Sequence, residues 1–170
     1  MGIIASDKIV YCSLSDGSIK YFYLKDLDPE ETKIQTLQGP GGNYMKTLII
    51  SRDNNYLIGY VDIDEREEFL VFNLLKKELV WQGVLDLSRT AREDPKKLLV
   101  ISEDCLNLYA RSPNNKGITM YSLLDGSVLL ESPKLHTNYI MQILVSSNGK
   151  KIVTCGKDKK IKVWDSIKQT

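Results

Sequence analysis

The stretch 135–165, LHTNYIMQILVSSNGKKIVTCGKDKKIKVWD, constrains the fold more than any other part of this chain. It holds two apolar runs of period two, a turn on Ser147, Asn148 and Gly149, a second turn on Gly156, Lys157, Asp158 and Lys159, and a last run ending in Trp164 and Asp165. Alternation places successive side chains on opposite faces of a strand, and Gly, Asn and Asp supply the reversals between strands. Three short antiparallel strands are therefore predicted here, with His136 just ahead of the first. A helical bundle is disfavoured, because period-two spacing runs through nearly the whole chain and turn residues interrupt it every eight to twelve residues.

Within this stretch Thr154 falls late in the second strand, Asp158 lies four residues on in the turn, and Trp164 six residues beyond that. The order and spacing of His136, Thr154, Asp158 and Trp164 resemble a repeat of the WD-repeat β-propeller family. The resemblance implies an all-β fold of four-stranded antiparallel blades. It also implies that these four residues form a hydrogen-bonded chain tying a loop to the body of one blade.

Weaker copies of the pattern precede it. The run NYMKTLIISRDNNYLIGY superimposes on NYIMQILVSSNGKKIVTC at a constant offset of ninety-five, so that Asn43 and Tyr44 meet Asn138 and Tyr139, Leu48 meets Ile143, Ser51 meets Ser146 and Leu57 meets Ile152. Such self-similarity marks a repeat architecture. Aromatic anchors of the third strands fall at Phe22, Phe72, Tyr121 and Trp164, and blades are expected at 1–39, 40–84, 85–134 and 135–170 of a single partial propeller. Outer strands are expected at 33–38, 78–82 and 126–131. In the first blade Cys12 and Phe22 replace the Thr and Trp around Asp16. In the second, Gly41 and Gly59 stand in the His and Thr positions, so the tetrad is lost there.

The candidates for chemistry are few. The chain has one histidine, and His136 would have to serve both a reaction and the loop anchor. As a hydrolytic triad, His136, Thr154 and Asp158 fit poorly, since Thr154 lies within a β pattern and not on an exposed elbow. The glycine-rich 39–42 has no Gly-Lys-Ser/Thr ending and no helical pattern after it, so it reads as a loop and not a phosphate cradle. Asp62 and Asp64 lack the remaining ligands and the glycine of a calcium loop; 62–68 reads as an acidic, solvated hairpin tip. Cys12, Cys105 and Cys155 are scattered singly, which suggests neither a metal site nor a disulfide, and Cys12 and Cys155 are expected in the core. Met1-Gly2 with Ser6 matches the minimal myristoylation pattern, but Ile3 and Ile4 are wanted in a strand. No enzyme, cofactor or metal is predicted.

The apolar runs are far short of the ~20 residues of a membrane helix, and no charged n-region with a long apolar stretch opens the chain, so an intracellular, cytoplasmic protein is expected. A net charge of +1 argues against general attraction to nucleic acid, although Lys150, Lys151, Lys157, Lys159, Lys160 and Lys162 crowd the last blade and make RNA the alternative partner. The family resemblance points to a protein-binding scaffold, docking on the rim shared by the loops between blades and between second and third strands. Tyr44, Arg66, Arg89, Arg92, Arg111, Asn138, Tyr139, Lys157 and Lys159 are the candidates there, Arg and Tyr being the types that most often carry binding energy. The turns at Asp53 and Asn148 should lie on the opposite rim. The first inner strand is short and the last outer strand is missing, so the expected surroundings are further sequence, a partner chain, or a second copy closing an eight-blade ring.

Overall fold

The computed structural model describes residues 3–6, 8–26, 33–39, 45–63, 66–85 and 94–166. The chain divides into two compact units, Met1–Gly83 and Val84–Thr170.

The first unit holds two antiparallel sheets. One orders β1 (Ile3–Ala5), β2 (Ile9–Ser13), β3 (Ile19–Tyr23) and β4 (Gln35–Leu37) side by side; the other orders β5 (Thr47–Ile50), β6 (Tyr56–Ile63), β7 (Arg66–Asn73) and β8 (Glu78–Val84). Tyr11, Ile19, Tyr21 and Leu37 of the first sheet share a buried cluster with Met45, just ahead of β5, and with Leu48, Leu57, Val61, Leu70 and Phe72 of the second sheet. The contact is apolar apart from a few satisfied groups, such as the Ser13 hydroxyl, which donates to the Met45 carbonyl at 2.6 Å. Tyr11 and Tyr21 stack with ring centroids 5.5 Å apart, as expected for a directly opposed aromatic pair.

The second unit repeats the arrangement. A third sheet runs β9 (Leu99–Ile101), β10 (Asn107–Arg111), β11 (Ile118–Ser122) and β12 (Val128–Ser132), and a fourth contains β13 (Ile140–Val145), β14 (Lys151–Gly156) and β15 (Ile161–Asp165). Among the described residues the fourth sheet has three strands. Leu99, Leu108, Ile118, Leu135, Ile140, Ile143 and Ile152 are buried in this unit.

The repeats share one register. Phe22, Phe72, Tyr121 and Trp164 pair across the sheet with Val10, Leu57, Leu108 and Ile152. The residues matched at an offset of ninety-five also share environments: Leu48 and Ile143, like Leu57 and Ile152, are buried.

Several local expectations are corrected. The acidic segment 62–68 is strand for most of its length, with Asp62 opposite Glu67 and Ile63 opposite Arg66. Fully buried Val61 and Phe69 hold the two strands on the sheet, and beyond them the charged residues need only continue the ladder. The tip, 64–65, and the side chains of 62–66, Asp62 and Asp64 included, lie outside the described residues. Cys12 and Cys155 are half-buried, not core, because each lies on the sheet face turned away from the neighbouring sheet of its unit; Cys105, in a turn, is the buried cysteine. The outer strand expected over 33–38 shortens to Gln35–Leu37. Gly2 and the 40–42 loop lie outside the described residues.

Candidate functional site

The site begins where the chain enters the fourth sheet. His136 is 3% exposed, and Thr154 is fully buried in β14. His136 Nδ1 lies 2.9 and 3.0 Å from the two Asp158 carboxylate oxygens, and Nε2 lies 2.8 Å from Thr154 Oγ1. The Trp164 indole N–H donates to the same Thr154 oxygen at 3.2 Å.

Donor accounting orders the protons. A carboxylate can only accept, so Nδ1 carries the hydrogen; in the neutral imidazole Nε2 then accepts from the Thr154 hydroxyl, whose oxygen is left to accept from Trp164. Every member is satisfied by another, so the chain stiffens the sheet and leaves no free nucleophile. Asp158 has further tasks, accepting the N–H groups of Thr137 and Lys160, each at 3.1 Å. Burial opposes its charged form, but the hydrogen bonds from His136, Thr137 and Lys160 outweigh it and lower the carboxyl to about 2. Gly156 leaves the space for this pair: a Cβ there would come within 2.6 Å of His136 Nδ1 and 2.9 Å of Asp158 Oδ1.

Backbone bonds extend the anchorage. His136 N–H donates to the Lys116 carbonyl, Ile140 N–H to that of Asn115, and Lys157 N–H to that of Tyr139, all at 2.8 Å. The loop 135–140 is thus tied at both ends.

Residues 127–165 match the family model described as WD domain, G-beta repeat. This stretch is a WD repeat. Over 165 residues the chain is 27% identical to an uncharacterized WD repeat-containing protein, L344, of Acanthamoeba polyphaga mimivirus, covering 95% of this chain and 28% of that protein. It therefore spans less than a third of the relative's length. Among solved structures it is similar to the computationally designed Ika8 protein, with a TM-score of 0.60 and 16% identity over 96% of this chain and 45% of that one. It is similar as well to a chain of the Mitotic Checkpoint Complex, with a TM-score of 0.61 and 12% identity over 95% of this chain and 46% of that one. The fold is of the β-propeller type, its sheets the blades, and the WD-repeat match covers the last of them.

The blade geometry separates the rim candidates. Asn138 is exposed, its side-chain oxygen accepting the Tyr139 N–H at 2.8 Å, and the half-buried Tyr139 ring carries the Lys157 ammonium 5.3 Å from its centroid. Lys157 and Lys159 are exposed in the adjoining turn, with Lys159 at a φ of +62°. Arg111 is not a rim residue. It is the last residue of β10, opposite Ile118, 1% exposed, and its Nη1 donates to the Ile140 carbonyl at 3.0 Å. The ladder continues one residue further than the loop reading allowed and draws the guanidinium inward. Tyr44, Arg89 and Arg92, with the Arg66 side chain, lie outside the described residues.

A feature the sequence reading missed recurs at the opposite end of the blades. In the turns after the first strands, the Ser51, Ser102 and Ser146 hydroxyls donate to the side-chain oxygens of Asp53, Asp104 and Asn148 at 2.6, 2.5 and 2.8 Å. Each serine oxygen also accepts the N–H of the residue five further on, Tyr56, Asn107 or Lys151, at 2.9 Å. The signal was present as Ser-x-Asp or Ser-x-Asn before the second strands of the last three blades. In the fourth blade this turn adjoins Ser166, whose N–H donates to the Lys150 carbonyl, at the far end of the sheet from Tyr139 and Lys157.

Among the described residues no three His, Cys, Asp or Glu side chains group as metal ligands, and no helix is long and apolar enough to cross a membrane.

Proposed function

We propose that this chain is a non-catalytic scaffold that docks a partner protein or peptide on the rim at the entrance to its fourth blade. WD repeats and propeller relatives support a protein-interaction role of the general kind. The single observation that carries the finer reading is the tied loop: Asn138 and Tyr139 are presented beside Lys157 on backbone already held by His136, Asp158 and three inter-loop hydrogen bonds. A pre-ordered surface loses less conformational entropy on binding, so a few aromatic and polar contacts suffice for recognition. None of the three cysteines is in a disulfide, in keeping with the proposed cytoplasmic setting.

RNA binding by the lysine-rich blade has less in its favour. Lys151 pairs with Asp165 at 3.0 Å, Lys157 covers Tyr139, and Lys162 donates to the Leu135 carbonyl and lies over Trp164, so part of that charge is occupied within the blade.

The test is affinity capture with the wild-type chain, followed by the same capture with Asn138→Ala and Tyr139→Ala and with turn variants Asp53→Ala and Asn148→Ala. The partners should be depleted at least about tenfold by the first pair. Loss through the second pair, with the first neutral, would place recognition on the other rim.

A further inference from the structure

Within the second unit, a cavity of about 460 Å³ lies between the third and fourth blades, lined by the turns that follow β9 and β13. The corresponding place in the first unit is filled. There the opposed pair Ile9 and Tyr23, with Leu74 of the facing blade, packs on the buried cluster. In register, Ile9 and Tyr23 become the opposed pair Asn107 and Ser122, Tyr21 becomes Met120, and Leu74 becomes Ser166. Short polar groups thus replace the aromatic and aliphatic side chains that seal the other contact. A place where the packing rule of the repeat is broken is where a binding function is expected.

Two groups on the cavity wall have hydrogen-bonding capacity to spare. Tyr109 is 3% exposed, yet among the described residues nothing hydrogen-bonds its hydroxyl, which opens on the cavity. Burial, then the charge of Asp104, raises this phenol above its ordinary 10.0, so it stays a neutral hydroxyl beside that carboxylate. Asp104 Oδ1 accepts from the Ser102 hydroxyl and the Leu106 N–H, whereas Oδ2 has no hydrogen bond among the described residues. In the second blade the same oxygen of Asp53 accepts from the Asn55 side chain at 2.7 Å, and the equivalent of Asn55 here is Leu106, which has nothing to donate. Glu103 and Asp104 outweigh Lys150 in charge along the lining, while Met120 and the Tyr109 ring supply apolar wall. Leu106 and Leu124, 65% and 66% exposed, adjoin it on turns joined by the Leu123 N–H to the Leu106 carbonyl at 2.8 Å.

We propose that this cavity binds a peptide segment through an arginine side chain, with an aliphatic neighbour of that arginine resting on Leu106 and Leu124. A guanidinium offers five N–H donors in one plane and finds acceptors in Asp104 and Tyr109, while its methylene stem lies on Met120 and the Tyr109 ring. A bare metal ion would leave the apolar wall unused, and an anion would meet two carboxylates. The site is separate from the rim at Tyr139 and Lys157, which lies at the other end of the blades.

The test is a titration of the purified chain, carrying carbon-13 methionine methyls, with the acetylated peptide Ala-Leu-Arg-Leu-Ala, followed by NMR. The Met120 methyl should shift saturably. The same peptide with citrulline, which keeps the shape of arginine and loses its charge, should bind at least about tenfold more weakly. Asp104→Asn and Tyr109→Phe should each weaken the arginine peptide at least about fivefold. Both variants should fold, since Asn148 accepts the Ser146 hydroxyl in the equivalent turn of the fourth blade and phenylalanine keeps the buried ring; an unchanged Trp164 indole resonance verifies this. No shift at Met120, equal affinity for the citrulline peptide, arginine amide binding as tightly as the whole peptide, or either folded variant binding like the wild type would overturn the proposal.

Discussion

The Met45 sulfur occupies the space that a side chain on Gly59 would need: a Cβ there would lie 2.2 Å from it. Gly59 stands in the second blade where Thr154 stands in the fourth, so the thioether fills the place given elsewhere to a hydroxyl. Restoring the hydroxyl should therefore destabilise. Gly59→Thr is expected to cost about 1–3 kcal/mol by overpacking, and Met45→Ala in the same chain should recover part of that loss. Chemical denaturation of both variants and the double variant checks this; full additivity would show that the two residues do not compete for space.

Thr154 is the hinge of the tetrad, since it serves His136 and Trp164 at once. Thr154→Val keeps the shape and removes both hydrogen bonds. Two buried nitrogens lose their partner, and stability should fall by about 1–3 kcal/mol. An unchanged midpoint in urea would disprove the bridge.

Asp158 sets an acid limit. Its folded pKa, about 2, lies below the ordinary 3.8, so its contribution is complete above the unfolded value and is lost as pH falls through the folded one. Stability should drop between about pH 4 and pH 2. Asp158→Asn should flatten that part of the profile, read from urea midpoints across the range.

Tyr11 sets an alkaline limit in the other unit. Burial first, then the neighbouring Tyr21 and Tyr23 phenols, raise it from 10.0 to about 12. A folded value above the unfolded one means the contribution is intact below pH 10 and lost as pH rises toward 12. Spectrophotometric titration should show a late phenol, and Tyr11→Phe should remove it.

Gly156 is required by contact. Gly156→Ala should push His136 from Asp158 and raise amide exchange at Thr137 and Lys160, whose N–H groups depend on the carboxylate. Exchange unchanged at both amides would contradict the tight fit.

The strands were readable because their cause is local. Alternation of apolar and polar residues, broken by Asn, Asp and Gly, depends on neighbours in the chain, and the three strands predicted within 135–165 are β13, β14 and β15. The tetrad was legible through the resemblance to a WD repeat, which implies the roles of His136, Thr154, Asp158 and Trp164; the hydrogen bonds that join them are seen only in the folded sheet. Side-chain direction at strand ends was not local. Arg111 turned inward because the ladder of β10 ran one residue further, and Ile140, twenty-nine residues on, offered its carbonyl. Cys12 and Cys155 have the small size and strand position of core residues, yet which sheet face is covered depends on the neighbouring blade and not on the strand itself. Met45 could not be matched to Gly59 from spacing, because the sequence records the missing Cβ but not the side chain that fills the gap. Alternation determined the strands and their pairing; packing between sheets decided which of their faces, and which arginine, left water.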